Sequence, residues 1–338
     1  MKTSGDASKW DQCGRRCFTI FGIVSVVLLF FETTASSLDT IYMAITPGKN
    51  FQHVIYPIAQ EKGYMREEGI DLKLLIVAGT PSIQGLLAGS IQFTVAGTSA
   101  LIAAAKGAAP LKVVLVANDK VHQWLLSKPE ITSLKSLKGK RIATGGVAAS
   151  ATFMLKQILI RHGLDPNRDV GYIHQSGGTQ LAALLSGSVD AIILGVQPRY
   201  IGVSAGMREL LFFGNEVKNS WGTLATSDRL IKEQPKQVSG FIRAAVKALR
   251  FIRQDRDATI AANVKFSGVD RTLATRMYDD LIGTFTRNGT VDEETQKNDL
   301  TIIRQIAEVS EFIPIGRGYD FSFAYEADQL LNQAGWRP

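Results

Sequence analysis

Leu86-Leu87-Ala88-Gly89-Ser90-Ile91, running on to Gly97, returns 98 residues later as Leu184-Leu185-Ser186-Gly187-Ser188-Val189, running on to Gly195. The surroundings of the two copies agree in order. In each, a Gly-Thr or Gly-Gly turn opens a helical stretch, Gly-Ser closes it, and a short apolar strand ends in Gly. Another helical stretch then reaches Lys106-Gly107 or Ala205-Gly206 before the next strand. Any Gly-Ser turn between helix and strand looks alike, but a shared order over about 30 residues is a repeated supersecondary unit. Repeats spaced by roughly 20–50 residues make solenoids; this wider spacing predicts two similar lobes.

Outward from the repeat, short apolar runs alternate with longer helical patterns, the mark of an α/β architecture with largely parallel sheets. Strands are predicted at 40–45, 71–77, 91–96, 112–117, 140–144, 169–173, 191–194, 210–213 and 221–226. The helices between them are predicted at 54–63, 82–88, 99–106, 151–162, 179–186 and 198–205. After residue 226 the pattern becomes helical, with Pro235 opening a long amphipathic stretch to Ile252 and further helices over 271–286, 293–308 and 325–334. Residues 118–134 and 217–221 read as linkers, the two crossings that an inserted second lobe requires.

The 338 residues are 45% hydrophobic and 20% charged, with 31 Gly and 10 Pro, which excludes a disordered, collagen-like or multi-span membrane chain. Lys2, Lys9, Arg15 and Arg16 precede a 14-residue apolar run, Phe18–Phe31, followed by Glu32 and the small residues Thr33 to Ser37. This is the order of a secretory signal peptide, residues 1–36, with cleavage near Ala35 or Ser36. The run falls short of the roughly 20 residues a spanning helix needs. Cys13 and Cys17 leave with it, and so do thiol catalysis, disulfides and Cys-ligated metals. The leader holds four basic and three acidic residues, so a net charge of +7 becomes +6 in the exported chain, compatible with an anionic partner.

Gly202-Val203-Ser204-Ala205-Gly206 fits the G-x-S-x-G pattern of serine hydrolases, but that elbow needs a strand before it and a helix after it, and here the order is reversed. It reads instead as a helix C-terminus with Gly206 left-handed. No nucleotide-binding glycine loop or H-E-x-x-H occurs. The four histidines, His53, His122, His162 and His174, are scattered and each reads as a loop or helix-surface residue; no cofactor and no metal are expected. Arg243, Lys247, Arg250 and Arg253 read as the solvated face of the long helix, and without interleaved aromatics they predict no nucleic-acid binding.

Four turns rich in Gly, Ser and Thr precede helices: 78–82, 96–99, 144–146 leading to Ser150 and Thr152, and 176–180. The first N–H groups of a helix are unpaired and its dipole is positive there, so an anion can be held without a full positive charge. Any one such turn is an ordinary cap. Two in each of two lobes predict a cleft in which both lobes aim helix ends at one small molecule.

Residues 51–72, beginning Phe51-Gln52-His53 and closing Lys62-Gly63-Tyr64-Met65-Arg66-Glu67-Glu68-Gly69-Ile70-Asp71-Leu72, resemble the opening of solute-binding proteins for ABC importers of the nitrate/sulfonate/taurine group, which also includes binders of thiamine-pyrimidine precursors. Leu87–Phe93, Leu137–Ile142, Ala183–Ala191 and Glu233–Ala244 follow that family's later segments in order, with Gln92 where the family usually has Asp. The resemblance implies a type II periplasmic binding protein fold: two Rossmann-like lobes, 39–121 plus 222–338 and 122–221, joined by two hinge crossings with a ligand cleft between them. It implies a monomeric, periplasmic, non-enzymatic protein that carries a small, anionic organic solute (sulfonate, nitrate, carboxylate or pyrimidine-like) to an ABC permease in the inner membrane. Ligand contacts carried over from it are Phe51, Gln52, Gly79, Thr80, Pro81, Ser82, Gly97, Thr98, Ser99, Ser150, Thr152, Gly177, Gly178, Thr179 and Gln197. Two alternatives stay open: an enzyme on the same fold, of the pyrimidine-precursor synthase or menaquinone-precursor lyase type, and a ligand-sensing partner of a membrane receptor.

Overall fold

Among the described residues, ten strands form two five-stranded sheets of the same plan. The computed structural model describes residues 38–338 apart from Lys49, Ala78, Ala108, Val147, Ala148, Ser176 and Gly177. The leader and both cysteines lie outside the described residues, and no described helix is long and apolar enough to cross a membrane. The first sheet takes β1 (Asp39–Ile45), β2 (Ile70–Ile76), β3 (Phe93–Thr94), β4 (Leu111–Asn118) and β10 (Trp221–Ser227). The second takes β5 (Trp124–Ser127), β6 (Lys140–Thr144), β7 (Val170–His174), β8 (Ala191–Leu194) and β9 (Arg208–Phe212).

Strand order is β2-β1-β3-β10-β4 in one sheet and β7-β6-β8-β5-β9 in the other. In both, three parallel strands are followed by one antiparallel strand and then an edge strand. That fourth strand is in each case the first one made after the chain crosses over from the other sheet. The sheets are therefore mixed, with four strands of each running the same way and one running against them. The repeat seen in the sequence is the unit that ends on β3 and β8. Its two helices, Thr80–Ala88 and Gln180–Leu185, stop at Gly89 and Gly187, each with φ +78°. Only glycine takes that left-handed turn without strain, which lets the chain reverse into a strand within a few residues.

Most elements lie within two residues of their predicted bounds. The stretch 118–134, read as a linker, contains β5, the central antiparallel strand of the second sheet. Its four residues are all buried, and a run this short beside a proline carries no periodicity. Helix Arg256–Ser267 also went unread. The stretch 91–96 keeps only Phe93–Thr94 as strand, and the helix from Arg271 stops at Leu281, where a 3-10 turn, Ile282–Thr284, takes over.

Helix Pro235–Gln254 covers the first sheet, with Phe241 stacked on Phe93 at 4.0 Å between ring centres. Its basic stripe is not a solvated face. Arg243 pairs with Glu68, Lys247 with Glu67, and Arg250 with Asp328, while Arg253 donates to the carbonyls of Phe285 and Thr286. Neighbouring elements place an acceptor opposite each cation, information that lies outside the helix. Gly206, with φ +83°, closes helix Val196–Ser204 ahead of β9, so Ser204 sits at a helix end and not on a nucleophile elbow.

Candidate functional site

A parallel strand delivers the chain to the carboxyl edge of its sheet, and the next helix starts there. At that edge of the first sheet lie the 3-10 turn Phe51–His53 after β1, helix Thr80–Ala88 after β2, and helix Gly97–Ala105 after β3. At the same edge of the second lie helix Ser150–Arg161 after β6, helix Gln180–Leu185 after β7, and helix Val196–Ser204 after β8. The residues before these five helices are Gly79, Ala96, Ala149, Thr179 and Gly195, and at none does a side chain cap the helix. Four C-terminal helices contrast with them, although helices Pro235–Gln254 and Ser322–Gln333 also start without a side-chain cap. Ser227, Asp255, Asp270 and Asp292 each accept from the N–H three residues on. Among the described residues, the helix starts after Gly79, Ala96, Ala149 and Gly195 thus have no side-chain cap and no acidic residue in the first turn.

Most sequence-predicted contacts fall on these starts. Gly79 has φ +62° and ψ −141°. Thr80 and Pro81 are exposed, whereas Ser82 is buried with its hydroxyl donating to the Gly79 carbonyl at 2.8 Å. Gly97 is buried against β10, where a Cβ would stand 2.0 Å from the Thr223 hydroxyl oxygen; Thr98 is exposed and Ser99 half-buried. Ser150 is half-buried, and the Thr152 hydroxyl donates to the Gly146 carbonyl at 3.1 Å. Gly178 and Thr179 are exposed, and a Cβ on Gly178 would meet nothing within 4 Å. Gln197 is half-buried in the first turn of its helix; Gly177 lies outside the described residues. Phe51 is fully buried, its ring edge-on to Phe285 at 5.5 Å, so it supports the edge from beneath.

Sequence reasoning missed the groups around the two crossings. His122, in the first crossing, and His53 are buried, not surface histidines, and burial pushes their imidazoles down to about 3 and about 4, so both are neutral at ordinary pH. His122 Nε2 lies 2.7 Å from the Thr284 hydroxyl, to which the Asn118 amide also donates. Beside the second crossing, Asp299 of helix Glu293–Ala307 is buried and accepts from Asn219 and Ser220 of that crossing and from Tyr319. Burial nevertheless raises its carboxyl to about 6.

One cluster ties helix Val196–Ser204 of the second sheet to helix Arg271–Leu281. Arg199 and Tyr200, on the helix after β8, both bond to Asp280, at 2.7 Å each; Arg199 also holds Glu209 at 2.6 Å. The Arg199 guanidinium lies 4.9 Å from the centre of the Trp124 ring, which stacks on Phe212 at 4.7 Å. Asp280 sits below the usual carboxylate range because these bonds outweigh its partial burial. No group of three or more His, Cys, Asp or Glu residues able to hold a metal occurs among the described residues.

Comparison with known proteins matches residues 50–259 to the family model described as NMT1/THI5 like. A protein of Brucella abortus (strain 2308), named only for a provisional binding role, is 27% identical over 226 residues, 64% of this chain and 68% of that one. The riboflavin-binding protein RibY of Chloroflexus aurantiacus is 26% identical over 245 residues, 68% of this chain and 67% of that one. Among solved structures, the periplasmic aliphatic sulphonate-binding protein SsuA of Escherichia coli superposes with a TM-score of 0.69 at 19% identity, covering 86% of this chain and all of that one. The periplasmic nitrate-binding protein NrtA of Synechocystis PCC 6803 gives 0.65 at 13%, covering 87% and 89%. The desulfurization enzyme DSZB gives 0.64 at 16%, covering 88% and 99%. At such identities these structures establish the fold alone, and the two-sheet fold is that of periplasmic binding proteins.

Proposed function

The chain belongs to the NMT1/THI5 like family, and from that premise we propose that it is an exported solute-binding protein that delivers a small organic solute to an ABC permease. The lobes of this reading are 39–121 plus 222–338 and 122–221, with the leader 1–36 removed on export. The single observation that carries it is the gathering of helix starts at the carboxyl edges of the two sheets, those after Gly79, Ala96, Ala149 and Gly195 having no side-chain cap among the described residues. Such starts suit an acidic headgroup, because backbone N–H groups and helix dipoles stabilise an anion without placing a counter-ion in the site. Sulfonate, nitrate, carboxylate and pyrimidine-like solutes are the classes to test.

DSZB keeps an enzymatic reading in view. Binding is favoured over it because His53 and His122 are buried and, among the described residues, neither bonds to a carboxylate that could complete an acid/base pair. The test is a thermal-shift screen of the exported chain with those solute classes. A ligand at about 100 times its Kd adds about 2.7 kcal/mol to stability. We expect at least one acid to raise the melting temperature and to be recovered unchanged. Turnover of a bound compound would overturn the reading.

A further inference from the structure

Asp299 joins the second crossing to helix Glu293–Ala307, and that helix packs against both sheets. Its Leu300 and Ile303 enter the core beside the first sheet with Val113 and Ala225, and its Ile302 enters the core beside the second with Ile142 and Leu155. The crossing supplies most of what the carboxylate accepts: the Asn219 amide at 2.8 Å, the Ser220 N–H at 3.2 Å and the Ser220 hydroxyl. The Tyr319 hydroxyl adds a bond at 2.8 Å. The two oxygens differ in what they face. Oδ1 meets N–H groups, which only donate, whereas Oδ2 lies between the Ser220 and Tyr319 hydroxyls, either of which can turn and accept. The site therefore takes the carboxylate or, with one hydroxyl reversed, the neutral acid.

No counter-charge faces that carboxylate. Its partners are all neutral, and among the described residues no Lys, Arg or His pairs with it. On the crossing, Lys218 is held by Asp292 and Glu294. On the helix itself, Lys297 pairs with Glu293, and Arg304 lines a hollow beside Phe312. Around Tyr319, Arg317 donates to the Ala104 carbonyl and Asp320 accepts from Ser322. On helix Ser150–Arg161, which packs against the same helix, Lys156 lies over the Tyr172 ring. A buried charge without a counter-ion is costly. Solvent is close by, in a groove of about 370 Å3 lined by Arg161, Lys218, Asn219 and Asn298.

From this we propose that the second crossing is an acid-operated joint: with its proton, Asp299 holds Asn219 and Ser220 against the helix, and without it the crossing swings toward the groove, so that the set of the two sheets follows the surrounding acidity. The use of such a joint rests on the exported, solute-binding reading, in which the crossings govern how the sheets close on a solute. Burial gives the sign. The closed joint keeps its proton up to about pH 6 and an open, solvated carboxyl only to about the ordinary 3.8, so opening rises between those values and levels off above them. His122, in the first crossing, stays neutral because burial holds it down to about 3. His162, bonded to Glu216 just before the second crossing, and Asp119, in the first, are the titratable groups that serve as controls.

Hydrogen exchange of residues 217–221 in the solute-free exported chain, with the intrinsic chemical rate divided out, tests the joint, and β4 measures global unfolding. We expect 217–221 to open more often than β4, and up to about a hundredfold more often at about pH 7 than at about pH 4. Asp299→Asn should keep the pH 4 level throughout, whereas a merely structural Asp299 would give faster exchange in that variant at every pH. His162→Gln and Asp119→Asn should leave the rise in place, and its loss in either would move the effect away from Asp299 and overturn the joint. Tyr319→Phe takes one donor from the carboxylate and should carry the plateau to higher pH, a readout that remains where Asp299→Asn does not fold. Small-angle scattering should give a larger radius of gyration at about pH 7 than at about pH 4. Opening of 217–221 no more frequent than that of β4, opening independent of pH, or an unchanged radius overturns the joint and leaves solute binding untouched. A solute screen without any binder removes the solute-binding reading and leaves the joint standing.

Discussion

Gly97 and Gly178 separate two uses of glycine in this molecule. A methyl at Gly97 would collide with both the hydroxyl and the Cβ of Thr223, so Gly97→Ala should destabilise the fold by about 1–3 kcal/mol, read by urea unfolding. Gly178 has open space around it, so Gly178→Trp should leave the melting temperature unchanged and abolish solute binding. Retained affinity in that variant would mean that Gly178 does not line the site. Asp299 gives a pH signature at the same scale. Its folded carboxyl titrates near 6, above the ordinary value of 3.8, so between about pH 4 and 6 the folded chain holds a proton that the unfolded chain has lost. Stability from this group is fully present below that window and falls as pH rises through it. Asp299→Asn should flatten the pH dependence of the melting temperature over that range.

Among the elements, helix Ser150–Arg161 offers a test of whether the helix starts at the carboxyl edges hold the solute. Ala149 has the extended backbone of a good cap residue, φ −71° and ψ 127°, but no acceptor. Ala149→Asp should therefore stabilise the fold by about 0.5–2 kcal/mol and weaken acid binding, because the new carboxylate occupies the N–H groups and repels the ligand. A gain in stability with unchanged affinity would remove this helix from the site. The reach of each signal along the chain explains what the sequence made legible. Turns such as Thr98-Ser99 and Gly178-Thr179 announce helix starts because their signals are local. What faces a turn is not local. The buried pair His53 and His122, and the acids opposite Arg243 and Lys247, come from segments up to about 180 residues away and carry no mark of their partners in their own neighbourhood. β5 was missed for a related reason: its four residues become a central strand only because β8 and β9 lie on either side.

For the molecule as a whole, Asp280 is the post to which the second sheet's helix 196–204 is tied through Arg199 and Tyr200. Asp280 is about two-fifths exposed, so solvent screens the pair and the tie is a modest one. Asp280→Asn should weaken solute binding roughly fivefold, about 1 kcal/mol, if this arrangement is the one that holds ligand. Small-angle scattering of the ligand-free variant should show a larger radius of gyration than that of the parent chain.

The antiparallel fourth strands also set an order of assembly. β5 to β9 occupy one uninterrupted stretch, 124–212, so the second sheet has all its members as soon as that stretch has been made. The first sheet does not: β10 stands between β3 and β4, and until residue 227 arrives β4 has no strand to join it to its neighbours. A chain emerging from the ribosome or a translocation pore thus exposes the bare edges of β3 and β4 while a hundred residues of the other sheet are completed. The protein is born with its middle finished and its beginning waiting for its end, and that interval is when it is most open to aggregation and most suited to capture by a chaperone.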